Sequence, residues 1–348
     1  QVSCNDAGNV FAVSGNQYNN GYVRFWYNNN GTLTEYTNNL EGGTSTTQKN
    51  LGYVMELSGD GKTIICGQGI NGSDNVVKVY KYSADIGDTT GTWTLLKSSG
   101  GSPHAQRPVD DDCTFSFNYV ANGSDKCGYS VSINYDGTIV ALGGEYYAGV
   151  YKWDGTDWTL YPNNTTYEIF HSVSSPLVYD STHIDNNKLS VITQNPSANR
   201  NYMGNITMYS INVGSQFSVK LNKEGNVLMT AQNGNFLKED DGLIAIYKLD
   251  GTTWKLQGKP IHTTNTDLSY NRIYNSFDIN DAGTVCIHGS GYKLNDIQAE
   301  SVVRVYKNDS SDVDAAWTLD YEVVEANGWS GLSGIARNIN YHVALNST

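Results

Sequence analysis

The chain has 348 residues, of which 39% are hydrophobic and 16% charged, so it can bury a core and lacks the composition of a disordered protein. Its formal net charge of −13 repels phosphate backbones, which argues against a nucleic-acid partner. No run of about 18 apolar residues occurs, so we expect no membrane insertion. Long runs of helix formers are also missing, which favours strands over helices.

A four-part pattern recurs along the chain. An alternating strand ends in a turn such as Asp-Gly, and an almost wholly apolar strand follows. After a variable polar loop come a second alternating strand and a segment centred on Trp-x-Leu. The most compact copy runs from Ser130 to Tyr161. The copies begin near Gln1, Gly52, Tyr129, Leu177, Phe217 and Asn275, and the copy near Leu177 is degenerate and lacks the Trp.

One sheet of four short strands cannot bury both of its faces, but stacking on copies of itself can, and a closed ring leaves only short edges. The repeat therefore predicts an all-β fold, a single β-propeller over residues 1–348. Residues 331–348 look like the first two strands of another blade, which predicts seven blades with the last one incomplete; six full blades plus extra strands is the alternative. The outer half of the incomplete blade would be supplied by residues upstream of Gln1, be missing, or be supplied by another chain.

The stretch SVSINYDGTIVALGG followed by GVYKWDGTDWTLY, within Ser130–Tyr161, resembles the FG-GAP-type repeats of extracellular propellers and is distantly similar to the integrin α-subunit head. The resemblance covers most of the chain and implies a surface protein used in adhesion or assembly. Integrin-type blades carry a DxDxDG calcium loop, and no copy here has one. The acidic clusters Asp110–Asp112 and Glu239–Gly242 lack its alternate spacing, so we expect no cofactor, with calcium binding as the alternative.

Cysteines and sequons point to loops that face an oxidising compartment. Cys113 and Cys127 flank a short polar loop whose span suits a disulfide. Cys4, Cys66 and Cys286 lie in apolar strand-like runs, where buried thiols and bridges both remain open. Glycosylation is expected at sequons in predicted loops, namely Asn30, Asn71, Asn122, Asn163 and Asn308.

We find no motif that predicts catalysis. HExxH, GxSxG and P-loop sequences are missing, and no two of the six histidines have metal-ligand spacing, so we expect no catalytic or metal-binding residues. His288 and His342 fall on second-strand positions, which favours structural roles. The recurring Trp is typical of packing. Tyrosines in or beside the loops between second and third strands are better candidates for ligand contact, namely Tyr146, Tyr147, Tyr202 and Tyr292.

Together these features predict a non-enzymatic extracellular binding or assembly module, a structural or adhesive subunit of a cell-surface layer, filament or appendage. Its partners would be other protein subunits, identical or different, bound through loops or through the incomplete last blade. Two alternatives stay open. One is a lectin that binds glycans through the loop tyrosines, and the other is a propeller glycoside hydrolase or lyase whose carboxylates pair in space.

Overall fold

The computed structural model describes most of the repeat. The described residues are 1–15, 21–43, 50–67, 75–96, 115–117, 128, 130–143, 148–161, 216–233, 242–259, 261–262, 272–293, 299–310, 315–325 and 344–345. Within these ranges the chain forms 23 strands and no helix, arranged in five antiparallel sheets. The all-β, propeller-type fold class predicted from the sequence is thereby confirmed. The copy predicted near Leu177 and most of the partial blade at 331–348 lie outside the described residues.

The chain divides into two compact units, residues 1–165 with 223–225 and residues 166–222 with 226–348. The first unit contains three sheets. The first sheet is β1 (Val2–Cys4), β2 (Val10–Gly15), β3 (Tyr22–Asn29), β4 (Thr32–Glu35) and β5 (Leu40–Glu41). The second sheet is β6 (Val54–Leu57), β7 (Thr63–Gly67), β8 (Asn75–Tyr82), β9 (Trp93–Leu95) and β10 (Phe115–Phe117). The third sheet is β11 (Ser130–Ile133), β12 (Ile139–Gly143), β13 (Ala148–Trp153) and β14 (Trp158–Leu160).

The second unit contains two sheets of the same kind. The fourth sheet is β15 (Gln216–Leu221), β16 (Val227–Asn233), β17 (Gly242–Asp250), β18 (Thr253–Leu256) and β19 (Ile261–His262). The fifth sheet is β20 (Arg272–Ile279), β21 (Val285–Lys293), β22 (Ala299–Lys307) and β23 (Thr318–Glu325). In all five sheets successive strands pair in an up-and-down order, and a fifth strand, where present, pairs with the third.

An asparagine opens the turn between the first and second strands of four sheets. Its side-chain Oδ1 accepts the backbone N–H at the start of the second strand, at distances of 2.8 to 2.9 Å; the four residues are Asn5, Asn134, Asn222 and Asn280. The second sheet has Ser58 there, and its Oγ accepts the N–H of Thr63 at 2.9 Å. Three residues after each comes a glycine with φ between 64° and 74°, a conformation that L side chains rarely adopt.

These turns give every sheet two distinct faces. Counted from the turn glycine, the second, fourth and sixth residues and their cross-strand partners form what we call the even face. The third and fifth residues and their partners form the odd face, because successive strand residues point to opposite sides. In the first unit Val10, Ala12 and Phe25 of the first sheet's even face pack with Ile64 and Cys66 of the second sheet's odd face.

The same arrangement recurs at the other sheet interfaces within each unit. Ile65 and Val79, on the even face of the second sheet, pack with Leu142 on the odd face of the third. In the second unit, Met229 on the even face of the fourth sheet packs with Cys286 on the odd face of the fifth. All five of these side chains are fully buried. Even-on-odd packing is therefore the unit of tertiary structure in this chain.

The recurring tryptophan lies on the outer strand, or in the fifth sheet directly before it, and packs as its recurrence predicts. Trp158, Trp254 and Trp317 are buried, and the indole Nε1 of Trp317 donates to the backbone oxygen of Gln257 at 2.9 Å. Trp93 is half-buried and stacks on Phe25 of the neighbouring sheet, with ring centroids 4.2 Å apart. In the second and fifth sheets, Trp93 and Trp317 thus connect the outer strand region to the preceding sheet, by ring stacking and by a hydrogen bond respectively.

We expect Asn134→Ala to lower the free energy of unfolding by about 1–3 kcal/mol, because it leaves the buried N–H of Ile139 without its acceptor. Asn134→Ser, which copies the second sheet, should cost less, since a hydroxyl can accept the same N–H. The control is Asn28→Ala, which removes a bond to Gly31 in an exposed turn and should stay within about 0.5 kcal/mol of the parent. Urea unfolding measures all three, and equal losses for the three variants would contradict the assigned role.

Candidate protein-interaction surface

The even face of the fifth sheet is covered less than any equivalent face among the described residues. In each sheet, the fourth residue after the turn glycine pairs with a residue of the third strand. In the first four sheets this partner is Phe25, Val79, Val150 and Ile246, respectively. Their exposed fractions are 0% to 1%. The matching residue of the fifth sheet is Val305, paired with Ile287, and both are only half-buried. The fifth sheet therefore carries a partly uncovered apolar surface on its even face.

The outer strand of the fifth sheet shows the same contrast more strongly. Leu40 of the first sheet and Ile261 of the fourth pair with the third strand at the sixth position and are 8% and 6% exposed. Val323 takes that place in the fifth sheet and is 48% exposed. Tyr321, two residues earlier on the same face, is 62% exposed. An isolated exposed apolar residue is ordinary, but a row of them on one sheet face is typical of an interaction site.

A β-bulge in the fifth sheet determines the direction of the Tyr321 and Val323 side chains. The pairing of β22 with β23 shifts register between Val305 and Tyr306, after which β23 continues to Glu325. Beyond this bulge Tyr321 and Val323 point to the even face, and Glu322 between them points to the odd face, where its Oε2 accepts from Arg304 Nε at 2.5 Å. We call Val303, Val305, Tyr321 and Val323 the docking face.

The inner edge of the same even face holds part of this chain. Asp278, the cross-strand partner of Ile287, accepts the backbone N–H of Leu345 through Oδ2 at 2.8 Å. Its Oδ1 lies 3.9 Å from Lys220 Nζ. Leu345 is half-buried, so residues 344–345 contact the inner strands of the sheet. The docking face lies on β22 and β23, which are two and three strands away from Asp278 on β20.

Cations near the uncovered surfaces are already paired. Lys307 Nζ, on the even face of the fifth sheet, lies 2.9 Å from Asp320 Oδ2. Arg24, on the odd face of the first sheet, lies 2.8 Å from Glu41. Such half-exposed pairs contribute little to stability, but they leave the surface around them close to neutral. A partner that binds the docking face would therefore contact apolar side chains, and the charge of Lys307 beside them is already balanced by Asp320.

The odd face of the first sheet is the complementary uncovered surface. Val2 is 69% exposed and Leu33 is 63% exposed, and Cys4 beside Val2 is an exposed free thiol. Phe11 and Trp26, their neighbours on this face, are half-buried. In the second and third sheets the odd face is packed under an even face. The first sheet thus exposes the kind of face that the docking face would need.

Most of the loop residues that the sequence singles out lie outside the described residues. This holds for the proposed disulfide partners Cys113 and Cys127, the sequons at Asn71, Asn122 and Asn163, the tyrosines Tyr146, Tyr147 and Tyr202, and both acidic clusters. Tyr292 lies within β21, where its backbone pairs with Glu300. The structure therefore does not test these candidate sites, and they remain predictions.

The three described cysteines fall into two classes. Cys66 and Cys286 are fully buried free thiols, and burial raises the pKa of each thiol to about 12. Cys4 is free and exposed. Of the two possibilities left open by the sequence, the buried thiol therefore holds for Cys66 and Cys286, and no disulfide joins the described cysteines.

We expect iodoacetamide at pH 8 to alkylate Cys4 rapidly and to spare Cys66 and Cys286, because a thiol with a pKa of about 12 is ionised in roughly one molecule in 10,000. Peptide mass spectrometry reads the label at each site. Unfolding in urea is the control and should expose all three. Labelling of Cys66 in the folded protein at the rate of Cys4 would contradict the burial.

The two described sequons differ in accessibility. Asn30 is exposed in the turn between β3 and β4. Asn308 is 4% exposed, its Oδ1 accepts the N–H of Ser310 at 2.9 Å, and its Nδ2 lies 2.2 Å from the place a Cβ on Gly258 would occupy. The atom that would carry a glycan is therefore enclosed at Asn308 and open at Asn30.

When the chain is secreted from a eukaryotic host, we expect a glycan on Asn30 and none on Asn308 in the folded product. Mass spectrometry of peptides before and after peptide-N-glycosidase treatment measures both sites. Asn30→Gln should remove one glycan mass without changing the other peptides. A glycan on Asn308 in correctly folded protein would contradict the packing of the Gly258 turn.

Among the described residues, no three His, Cys, Asp or Glu side chains converge as a metal site requires. No helix in the described part of the chain is long and apolar enough to cross a membrane. The docking face was missed by the sequence reasoning, because Tyr321 and Val323 have no pattern that separates them from strand residues that are covered.

No protein-family model and no curated protein matches the chain. Solved structures that are similar include TolB from Acinetobacter baumannii (9% identity, TM-score 0.41), which covers 94% of this chain and 54% of TolB. The Dos1 propeller shares 10% identity at a TM-score of 0.36, with 92% and 71% covered. Prolyl oligopeptidase B from Galerina marginata shares 8% at 0.37, with 91% and 34% covered.

The chain spans about half the length of that TolB chain. Enzymes and other proteins both occur among these similar structures, and at this level of similarity they do not bear on activity. The class of protein is defined by the sheets themselves: this is an all-β chain built of propeller-type blades, with uncovered apolar faces on its first and fifth sheets.

Proposed function

We propose that this chain is a non-enzymatic extracellular assembly module in which the docking face of one copy binds the odd face of the first sheet of a second copy. The observation that carries the proposal is the exposure of Val323, 48%, where the matching Leu40 and Ile261 are 8% and 6% exposed. Partner, location and the lack of an enzymatic activity are all part of the proposal.

The internal packing of the chain supports a second copy as the partner. At each of the described sheet interfaces, an even face packs on an odd face. The fifth sheet offers an uncovered even face, and the first sheet an uncovered odd face with Val2 and Leu33 at its exposed edge. A contact between two copies would repeat the packing already used inside each one.

The type of contact between two copies determines which assemblies can form. It joins two different surfaces, so each bound copy still offers one free face, and the series closes into a ring or continues as a filament. Burying a side chain such as Tyr321 or Val323 contributes about 1.5–3 kcal/mol. Several such residues on each side are needed to offset the entropy lost on association.

The extracellular location is supported by two features. The repeat resembles FG-GAP-type repeats of surface propellers, which function in adhesion and assembly. The sequon at Asn30 lies in an exposed turn that has room for a glycan. These features fit a subunit of a surface layer, filament or appendage.

We expect wild-type protein to form concentration-dependent oligomers and the double variant Tyr321→Ser/Val323→Thr to remain monomeric at the same concentrations, as measured by sedimentation velocity. The loss of buried apolar surface should weaken association at least tenfold, since each tenfold step corresponds to about 1.4 kcal/mol. The matched control is Leu319→Ser, which removes a residue 46% exposed on the same strand but on the odd face. It should leave association unchanged.

The identity of the partner face is tested by cross-linking. Val323→Cys, combined with the native Cys4, should yield species linked from residue 323 of one copy to residue 4 of another when a short bis-maleimide is added. Links between two copies of residue 323 would show that the face pairs with itself and would overturn the proposed contact. A wild-type protein that stays monomeric at every concentration would overturn self-assembly altogether.

A further inference from the structure

His288 is a buried imidazole in an apolar interface. It lies on β21 in the fifth sheet and is 0% exposed. Neither of its ring nitrogens finds a hydrogen-bond partner among the described residues. Its ring stacks on Tyr306, with centroids 5.8 Å apart and planes 10° apart. A buried polar group without a partner costs about 1–3 kcal/mol, so this residue is unfavourable for stability alone.

The other sheets show that the position does not require a histidine. His288 is the fifth residue after the turn glycine, on the odd face. The same place holds Val13, Cys66, Leu142 and Thr230 in the first four sheets. None of these side chains changes charge between pH 4 and 7. The fifth sheet is therefore the one described sheet with a group at this position that can be protonated there.

No described carboxylate lies within hydrogen-bond distance of His288, and Glu322, on the same face, is engaged by Arg304. From β22 the cross-strand partner is Arg304, whose Nε is already bound to Glu322, and next to it is the neutral Tyr306. From β20 the cross-strand partner is Phe277. Asp278 follows on the opposite face, where it binds the N–H of Leu345.

The elements of the facing sheet are also apolar at this interface. The fourth sheet contributes Val227, Met229 and Ala231 from β16, Ile244 and Ile246 from β17 and Ile261 from β19. The charged residue of β15 is Lys220, whose Nζ lies 3.9 Å from Asp278 Oδ1. Cys286, two residues before His288 on its own strand, is a buried thiol that stays neutral over this pH range. A protonated His288 would add a second cation beside Arg304.

We propose that His288 is an acid-sensitive element that loosens the interface between the fourth and fifth sheets when the pH falls. Protonation of His288 creates a charge in an apolar interface, next to the guanidinium of Arg304. This unfavourable charge is solvated when the fifth sheet separates from the fourth and His288 reaches water. The device stands on the geometry of the second unit and does not depend on self-assembly.

The sign of the effect follows from proton binding. Burial, and to a lesser degree the charge of Arg304, lowers the pKa of His288 from 6.5 to about 4. Between these two values the unfolded or opened state binds more protons than the folded state, so stability is complete above about pH 6.5 and falls as the pH approaches 4. Over this window the ratio of closed to open molecules should fall by roughly two to three orders of magnitude.

Carboxylates act in a different window. Asp136 is an example. Its partial burial raises the pKa of the carboxyl group, but hydrogen bonds from Thr138 outweigh this effect and hold the pKa below its usual value. Such a group loses its contribution only as the pH falls below about 4, because its unfolded pKa is already near that value. Loss of stability between pH 6.5 and 4 therefore reports on buried histidine.

The test compares wild type with His288→Leu, which places at this site the residue that the third sheet uses, Leu142. Hydrogen exchange of the β21 and β22 amides is measured from pH 7.5 to 4 after correction for intrinsic exchange rates, at concentrations where the protein is monomeric. Wild type should lose protection by about two orders of magnitude across this range. His288→Leu should keep it, and equal loss in both proteins would overturn the proposal.

Two further measurements keep the test decisive if His288→Leu folds poorly. The first is an NMR titration of the wild-type histidines, in which a pKa near 6.5 for His288 would contradict the device. The second is the reciprocal variant Leu142→His, which should transfer acid sensitivity to the third sheet, because Leu142 is likewise fully buried among apolar side chains. Failure of self-assembly would leave these monomer measurements unchanged, so the two proposals fail separately.

Discussion

Within each compact unit, the structure depends on one packing constraint, the contact of the even face of one sheet with the odd face of the next. A single four-stranded sheet has apolar residues on both faces, because its second strand is mostly apolar, and so it cannot be stable alone. Each contact buries side chains such as Ile65 and Leu142 completely. The position of a residue, counted from the turn glycine, therefore decides which neighbour it meets.

This constraint makes a sheet face that no other face covers the informative part of a unit. Residues in the middle of a series have their role set by two neighbours. At the first and fifth sheets, the same residue types are left with exposed apolar surface, as Val2 and Val323 are. A sheet that is ordinary in composition can thus carry a binding surface simply by its position in the series, with no special motif.

The sequence predicted the strands, the turn glycines and the packing role of the tryptophans, because these follow from local alternation and from backbone conformation. It did not reveal the docking face. Val323 and Ile261 look equally suited to burial in a sequence, and only the structure shows that one is covered and the other is not. The bulge beside Val305 that redirects β23 also has no clear sequence signal. His288 was placed correctly on a second strand, but its lack of a partner depends on contacts made between strands far apart in the chain.

The asparagine at the head of the turns has a consequence for how the chain folds. Its bond to the N–H of the second strand closes within five residues, so it forms without waiting for distant parts of the chain. A hairpin that slipped by one residue would turn every inward side chain outward and present the wrong surface to its neighbour. In four of the five described hairpins the asparagine amide thus favours the correct alignment of the first two strands through a local bond that does not require packing between sheets.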